Sequence, residues 1–352
     1  MTSKERVMCA LDHQTPDRIP MHDTFWSEFV DAWRAAKGVR EDASPVDYYG
    51  IDIAICVADE TLFPSEAGEV ERDGDAVLRR DGWGRTVRTK PGTYFYEQVD
   101  SVIRSKGDLD RIQFEPVDLD RRYTGFLQSV EANRKRCVFC KVGGPFIRTS
   151  FLRGEEAFLT DLAGDEPFAR ALAERVGDHL MGIGLESLRR ANLYDTGLWI
   201  FDDMACNDGP MFSPRTFERV FLPIYTNMIR AFKNAGCRKV LLHSDGCILP
   251  VLDMLLDAGI DGINPVEPKA GMDLVTLKRT YGTRLSYVGG VCNAHVLPRG
   301  DRREIEAHVR PILEVGREGG VAIGTHSIGL DISVETYDYY HSLVRQYGAY
   351  SS

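Results

Sequence analysis

His243, Asp245, Glu267 and His326 are residues that bind divalent metals or carry protons, and each ends a short apolar run. In Lys239-Val240-Leu241-Leu242-His243-Ser244-Asp245-Gly246 the run is long enough for one strand. Residues two apart in a strand share a face, so His243 and Asp245 project together from its carboxyl end. Two imidazoles with two carboxylates suit zinc or a similar divalent ion. The same residues also suit a metal-free polar site in which the imidazoles and acids bind one another and a substrate. Simple capping of the strands is less favoured, because barrel stability is built at the opposite face.

Other strand ends carry His22-Asp23, Asp59-Glu60 and Asp202-Asp203. Asp203 is in phase with Trp199 and Phe201, which reads as a partner behind the ligands or as a helix-cap acid. Cys247 and Cys292 leave a His/Cys/Cys site conceivable. Arg148 and Arg153 follow the turn Gly143-Gly144-Pro145-Phe146; they could receive a carboxylate or lie solvated at the surface.

Eight strand candidates position these groups: 18–23, 51–58, 137–142, 197–201, 239–246, 262–266, 285–288 and 320–324. Seven are followed within 10–25 residues by helical spacing, with N-cap signals at Ser213, Asp273, Asp301 and Ser333. Such alternation predicts a parallel sheet, and eight units predict an α/β (β/α)8 TIM barrel in one domain, 1–352. The doubly wound alternative lacks a Gly-rich phosphate turn after its first strand. Residues 68–105, with Asp73-Gly74, Asp81-Gly82 and Pro91-Gly92, read as a β-hairpin insertion after the second strand.

The net charge of -10, with no basic block, argues against nucleic acid and anionic membranes as partners. No apolar run approaches the roughly 20 residues of a membrane span. The opening residues read as a polar helix start rather than a signal peptide, and the eight cysteines as reduced thiols, so a cytoplasmic protein is expected. Cys137 and Cys140 form a C-x-x-C, but an odd spacing on a strand puts them on opposite faces, as buried thiols rather than a redox or zinc pair.

The segments His243-Ser244-Asp245-Gly246, Ile263-Asn264-Pro265-Val266-Glu267-Pro268, Gly289-Gly290-Val291, Gly324-Thr325-His326-Ser327-Ile328 and Gly143-Gly144-Pro145-Phe146 resemble the uroporphyrinogen decarboxylase superfamily, which includes corrinoid-linked methyltransferases. The resemblance runs from about residue 3 to 348 and is most specific after 197. It too implies a (β/α)8 barrel, and a homodimer. True decarboxylases of the family bind tetrapyrrole carboxylates with an arginine-rich N-terminal segment, where this chain has Met21-His22-Asp23-Thr24-Phe25-Trp26. They place a tyrosine where Phe151 stands; an aspartate matching Asp52 and a histidine matching His326 are kept. The methyltransferases hold zinc through His-x-Cys on strand five and a Cys at strand eight. Here His243 matches the histidine, Asp245 replaces one cysteine and His326 the other.

The resulting expectation is a methyltransferase or demethylase component. It would carry Zn2+ or another divalent metal on His243, Asp245 and His326, with Glu267 as fourth ligand or proton donor. Asp203 and Asp52 are the further catalytic candidates, and His22, Asp23, Phe25, Phe146 and Arg148 the expected substrate contacts. The methyl group would pass from a small methylated substrate to a corrinoid presented by a partner protein. The alternatives are a metal-free decarboxylase of a carboxylated pyrrole or aromatic acid, using His326 and Asp52, and a non-catalytic ligand-binding barrel.

Overall fold

Period-two apolar patterning places alternate strand residues on two faces, and both faces are covered. The structure is a computed structural model that describes residues 1–89 and 96–350. Its centre is a seven-stranded parallel sheet: β1 (Ile53–Val57), β2 (Cys137–Gly143), β3 (Gly197–Phe201), β4 (Lys239–His243), β5 (Gly262–Asn264), β6 (Ser286–Gly290) and β7 (Val321–Gly324), neighbours in that order. The fold is α/β and TIM-barrel-like.

The expected first strand is a correction. Residues 18–23 form no regular strand; Met21 makes one parallel bridge to Ile323. Pro20 has no N–H to give, and the Met21 N–H is taken by the Asp52 side chain at 3.0 Å. The segment still links both edges of the curled sheet. His22 N–H donates to Ile323 O, Ile323 N–H to Pro20 O, and Asp52 N–H to Met21 O, each at 2.9 Å.

Inside the curl, Ile53, Cys137, Phe139, Trp199, Leu241, Val288 and Ala322 pack as one cluster. Val7, Met8 and Leu11, from the helix Ser3–Leu11, join them. That helix starts on a capping box of Thr2 and Glu5. It stops the amino end of the sheet: the Leu11 carbonyl accepts from Lys239 and Ser286, and the Ala10 carbonyl from Gly320.

Cys140, Leu198, Ile200, Val240 and Leu242 face outward into a larger layer with the helices. Cys137 and Cys140 therefore lie on opposite faces, and burial pushes both thiols up. Ser213, Asp273, Asp301 and Ser333 each cap a helix by accepting a backbone N–H. The helix Thr124–Ala132 follows a 3-10 turn and leads into β2, and the helix Pro145–Arg153 starts directly after β2.

Between β1 and the helix Lys106–Leu109, the strands Gly68–Asp73, Ala76–Arg80, Thr86–Thr89 and Glu97–Asp100 form a separate antiparallel sheet. The Pro91-Gly92 turn lies outside the described residues. No helix among the described residues is long and apolar enough to cross a membrane.

Candidate metal centre

His243 is the last residue of β4 and follows Leu241 onto the inner face, so its ring reaches the mouth of the curl. Register sets Phe201 on one side of it and Asn264 on the other. The Phe201 ring stacks on the imidazole at 4.2 Å, and Asn264 Oδ1 lies 2.5 Å from Nδ1. The Asn264 amide nitrogen donates to the Val288 carbonyl at 2.9 Å. A carbonyl only accepts, so the amide oxygen must face His243 and Nδ1 must carry the hydrogen. That leaves the lone pair on Nε2, pointing at the rim.

What Nε2 faces is anionic. Asp245 Oδ1 lies at 3.5 Å and Asp203 Oδ1 at 3.6 Å, while Asp245 Oδ1 is also 3.4 Å from His326 Nε2. The ligand atoms of His243, Asp245 and His326 lie within 4.8 Å of one another, the one such group of His, Cys, Asp and Glu among the described residues. Asp245 Oδ1 is shut away from solvent with no hydrogen-bond partner. These spacings are too long for good hydrogen bonds and suit atoms arranged about a common point. Burial pushes His243 down from its ordinary value, opposed by Asp203, Asn264 and Asp245, and pushes Asp245 up, opposed by His326 and His243. Neutral imidazole is the ligating form. The donor set fits a divalent ion.

Local turns hold the three in place. Gly246 has φ +79°, and a Cβ there would lie 2.5 Å from the Cys206 carbonyl oxygen, so only glycine turns the chain after Asp245. His326 is held from below. Asp23 accepts from Thr325 N and Oγ1 at 2.8 Å and from Tyr337 Oη at 2.9 Å, and Thr24 Oγ1 donates to the His326 carbonyl. Burial pushes Asp23 up to about 7. It positions His326 rather than lining a pocket.

Several expected roles are corrected. Glu267 lies on the Nδ1 side of His326, at 3.8 Å, away from the Nε2 that meets Asp245. One of its oxygens accepts from Gly246 N; the other forms an ion pair with Lys269 at 2.9 Å. Asp203, expected behind the ligands, stands half-exposed on the Nε2 side of His243. Asp52 precedes β1 at the amino end of the sheet, fully buried between Arg6 (2.9 Å) and Arg18 (2.7 Å). The strand separates it from the imidazoles.

Phe146 is buried among Phe158, Phe212 and Phe221, because Pro145 starts a helix at once and turns the ring outward. Its N–H and that of Ile147 bind Asp202, which burial pushes up to about 6. Phe25 packs on Phe29, Tyr49 and Tyr337. Arg148 is engaged by Glu60 at 2.5 Å, and Arg153 by Asp161. His22 is buried edge-on to Trp199, and burial, then His243, push it down to about 4. Cys292 accepts from the His295 N–H; neither it nor Cys247 joins the cluster.

Two residues were missed. Asn264 gives no sign in the sequence of which strand neighbour it serves. Lys141 did give one: it is the lone charge in an apolar strand, in phase with Cys137 and Phe139. A cavity of about 500 Å³ opens beside His326, bordered by Trp26, Lys269, Asn293 and Leu330. A larger one, about 630 Å³, lies at Gln98–Arg104 and Arg153–Asp161 and holds none of these imidazoles.

The sequence model of the family described as Uroporphyrinogen decarboxylase (URO-D) matches residues 75–347. The chain belongs to this family. Among solved structures, the URO-D family member is similar to a methyltransferase from Methanosarcina mazei, with TM-score 0.65 and 17% identity over 98% of this chain and 99% of that one. At that identity the likeness is one of fold. An endo-1,4-beta-xylanase, XylE, from Penicillium canescens gives TM-score 0.39 and 10% identity over 74% and 93% of the two chains, and nothing rests on it. A search of curated proteins gives no match for the chain.

Proposed function

We propose that this URO-D family member is a metal-assisted methyltransferase or demethylase component, moving a methyl group from a small substrate to a corrinoid carried by a partner protein. The observation that carries the reading is the unpartnered Asp245 Oδ1 set between two imidazole Nε2 atoms, one of them fixed as a lone-pair donor by Asn264. The M. mazei neighbour, itself a methyltransferase, is in line with it.

His243, Asp245 and His326 would hold a divalent ion, whose Lewis acidity lowers the leaving-group pKa of the methyl-bearing oxygen, nitrogen or sulfur. The heteroatom would keep the electron pair of its bond to carbon and take a proton, and a reduced corrinoid, where bound, would supply the pair for the new bond to the methyl carbon. Asp203, half-exposed beside His243 and accepting the Asp245 N–H at 3.2 Å, is placed to relay that proton from solvent. Glu267, occupied by Gly246 and Lys269, orients the turn after β4 and borders the His326 ring.

The decarboxylase reading has the family description in its favour. Its expected pair, His326 and Asp52, stands at opposite ends of the sheet. Metal analysis of untagged protein separates the two: one divalent ion per chain is expected, and none in His243→Ala. A metal-free preparation that releases carbon dioxide from an aromatic acid, unaffected by chelator, overturns the methyl-transfer reading.

A further inference from the structure

Beside the triad, the mouth holds a second group of charges. Lys141, the inward-facing residue near the end of β2, places its ammonium 3.3 Å from Glu60 Oε1, and Arg148 shares that same oxygen at 2.5 Å. The other Glu60 oxygen accepts the Gly143 N–H at 2.6 Å. One buried carboxylate, its acceptors filled, therefore serves two cations. The Arg148 guanidinium is spread over Trp83 and Phe151, and its Nε is buried without a hydrogen-bond partner.

Lys141 is different: its contact with Glu60 is long, and its ammonium sits 5.1 Å from the Phe201 ring. Phe201 is the ring stacked at 4.2 Å on His243. The ammonium and His243 thus share one aromatic neighbour, and the ammonium's distance from the centre of the His243 ring cannot exceed those two spacings combined. Burial works against the Lys141 charge, and Glu60 supports it. Asp203 also reaches Lys141 electrostatically, but its carboxylate faces His243 Nε2. The ammonium is mostly buried and its one acceptor among the described residues is Glu60 at 3.3 Å, so its remaining donors are ones an oxyanion would satisfy.

We propose that Lys141, held by Glu60 and backed by Arg148, is the oxyanion-binding end of the substrate site. The substrate is then a small acid, its anionic group a few bonds from the methyl-bearing heteroatom. This rests on the metal-assisted reading for the other end of the molecule. It also gives the mouth a single charged anchor, in place of the arginine array a polycarboxylate macrocycle needs.

Cobalt(II)-loaded full-length protein, titrated with 3-mercaptopropionate and with 3-mercaptopropan-1-ol, tests it through the thiolate–cobalt absorption band. The acid is expected to bind about tenfold or more tightly than the alcohol, the worth of one charge-assisted hydrogen bond. Lys141→Met should abolish that ratio while leaving alcohol binding in place, and Lys141→Arg should restore part of it. Equal binding of acid and alcohol, or a preference that survives Lys141→Met, overturns the proposal.

Failure to load cobalt would sink the metal reading alone. The oxyanion site is then read in metal-free protein by propionate. A rise in melting temperature present in the wild type and absent in Lys141→Met supports it; no rise in either overturns it.

Discussion

At the residue scale Asn264 decides which nitrogen of His243 is free. Its amide is oriented by Val288, and through it the Nδ1 hydrogen of His243 is fixed, so the residue would act on the proposed metal without touching it. Asn264→Leu is expected to weaken zinc binding about 10–100-fold, the usual effect of removing such a partner. Isothermal titration with zinc alone measures it, and circular dichroism should show the fold retained. The clustering of His243, Asp245 and His326 was legible in the sequence because each stands at the end of an apolar run, and the period of two places His243 and Asp245 on one side. Asn264 was not: a buried amide in a short strand reveals its partner only once the register His243–Asn264 is known. Asp52 was misread by family analogy, although its place at the start of the run already pointed to the other end of the strand.

At the element scale, the helix Ser3–Leu11 and the strand β1 are tied by the buried Arg6–Asp52–Arg18 group. Removing the carboxylate leaves two cations facing a buried gap, which typically costs about 3–5 kcal/mol. Asp52→Asn is therefore expected to lower stability in urea by about 3 kcal/mol, the low end, because Arg6 keeps Asp17. Its zinc affinity should be unchanged; a loss confined to zinc binding would return Asp52 to the site.

The long helix Glu166–Ala191 carries a titrating group of its own. His179 is buried, donates to the Glu60 carbonyl, and is pushed by burial, then Arg122, from 6.5 to about 4. Between those values the unfolded chain binds the proton and the folded chain does not, so this residue makes stability fall as pH drops from 6.5 toward 4. His179→Gln keeps an N–H for the carbonyl and should flatten the profile of urea stability against pH across that window. An unchanged slope would show that His179 titrates normally.

At the scale of the whole molecule, a metal held as proposed by residues at the ends of β4 and β7 would act as a clamp across the sheet. Zinc at about 100 times its dissociation constant should stabilise the fold by about 2.7 kcal/mol. Calorimetry with and without chelator reads this as a rise of a few degrees, and His326→Ala should remove it. The alternation of strand and helix was legible throughout because both faces of the parallel sheet are buried. The first strand was overread because residues 18–23 carry Pro20, which has no N–H, and commit the Met21 N–H to the Asp52 side chain, so the segment lacks the donors a ladder needs.

The seam near Met21 has a consequence for how the protein is made. Its hydrogen bonds to Ile323, and the support Asp23 and Thr24 give to residues 325–326, join the first tenth of the chain to its last. On the ribosome the side of this segment that meets residues 323–326 therefore waits for its partners until almost the whole polypeptide has emerged, and a prematurely terminated product carries His243 and Asp245 without His326.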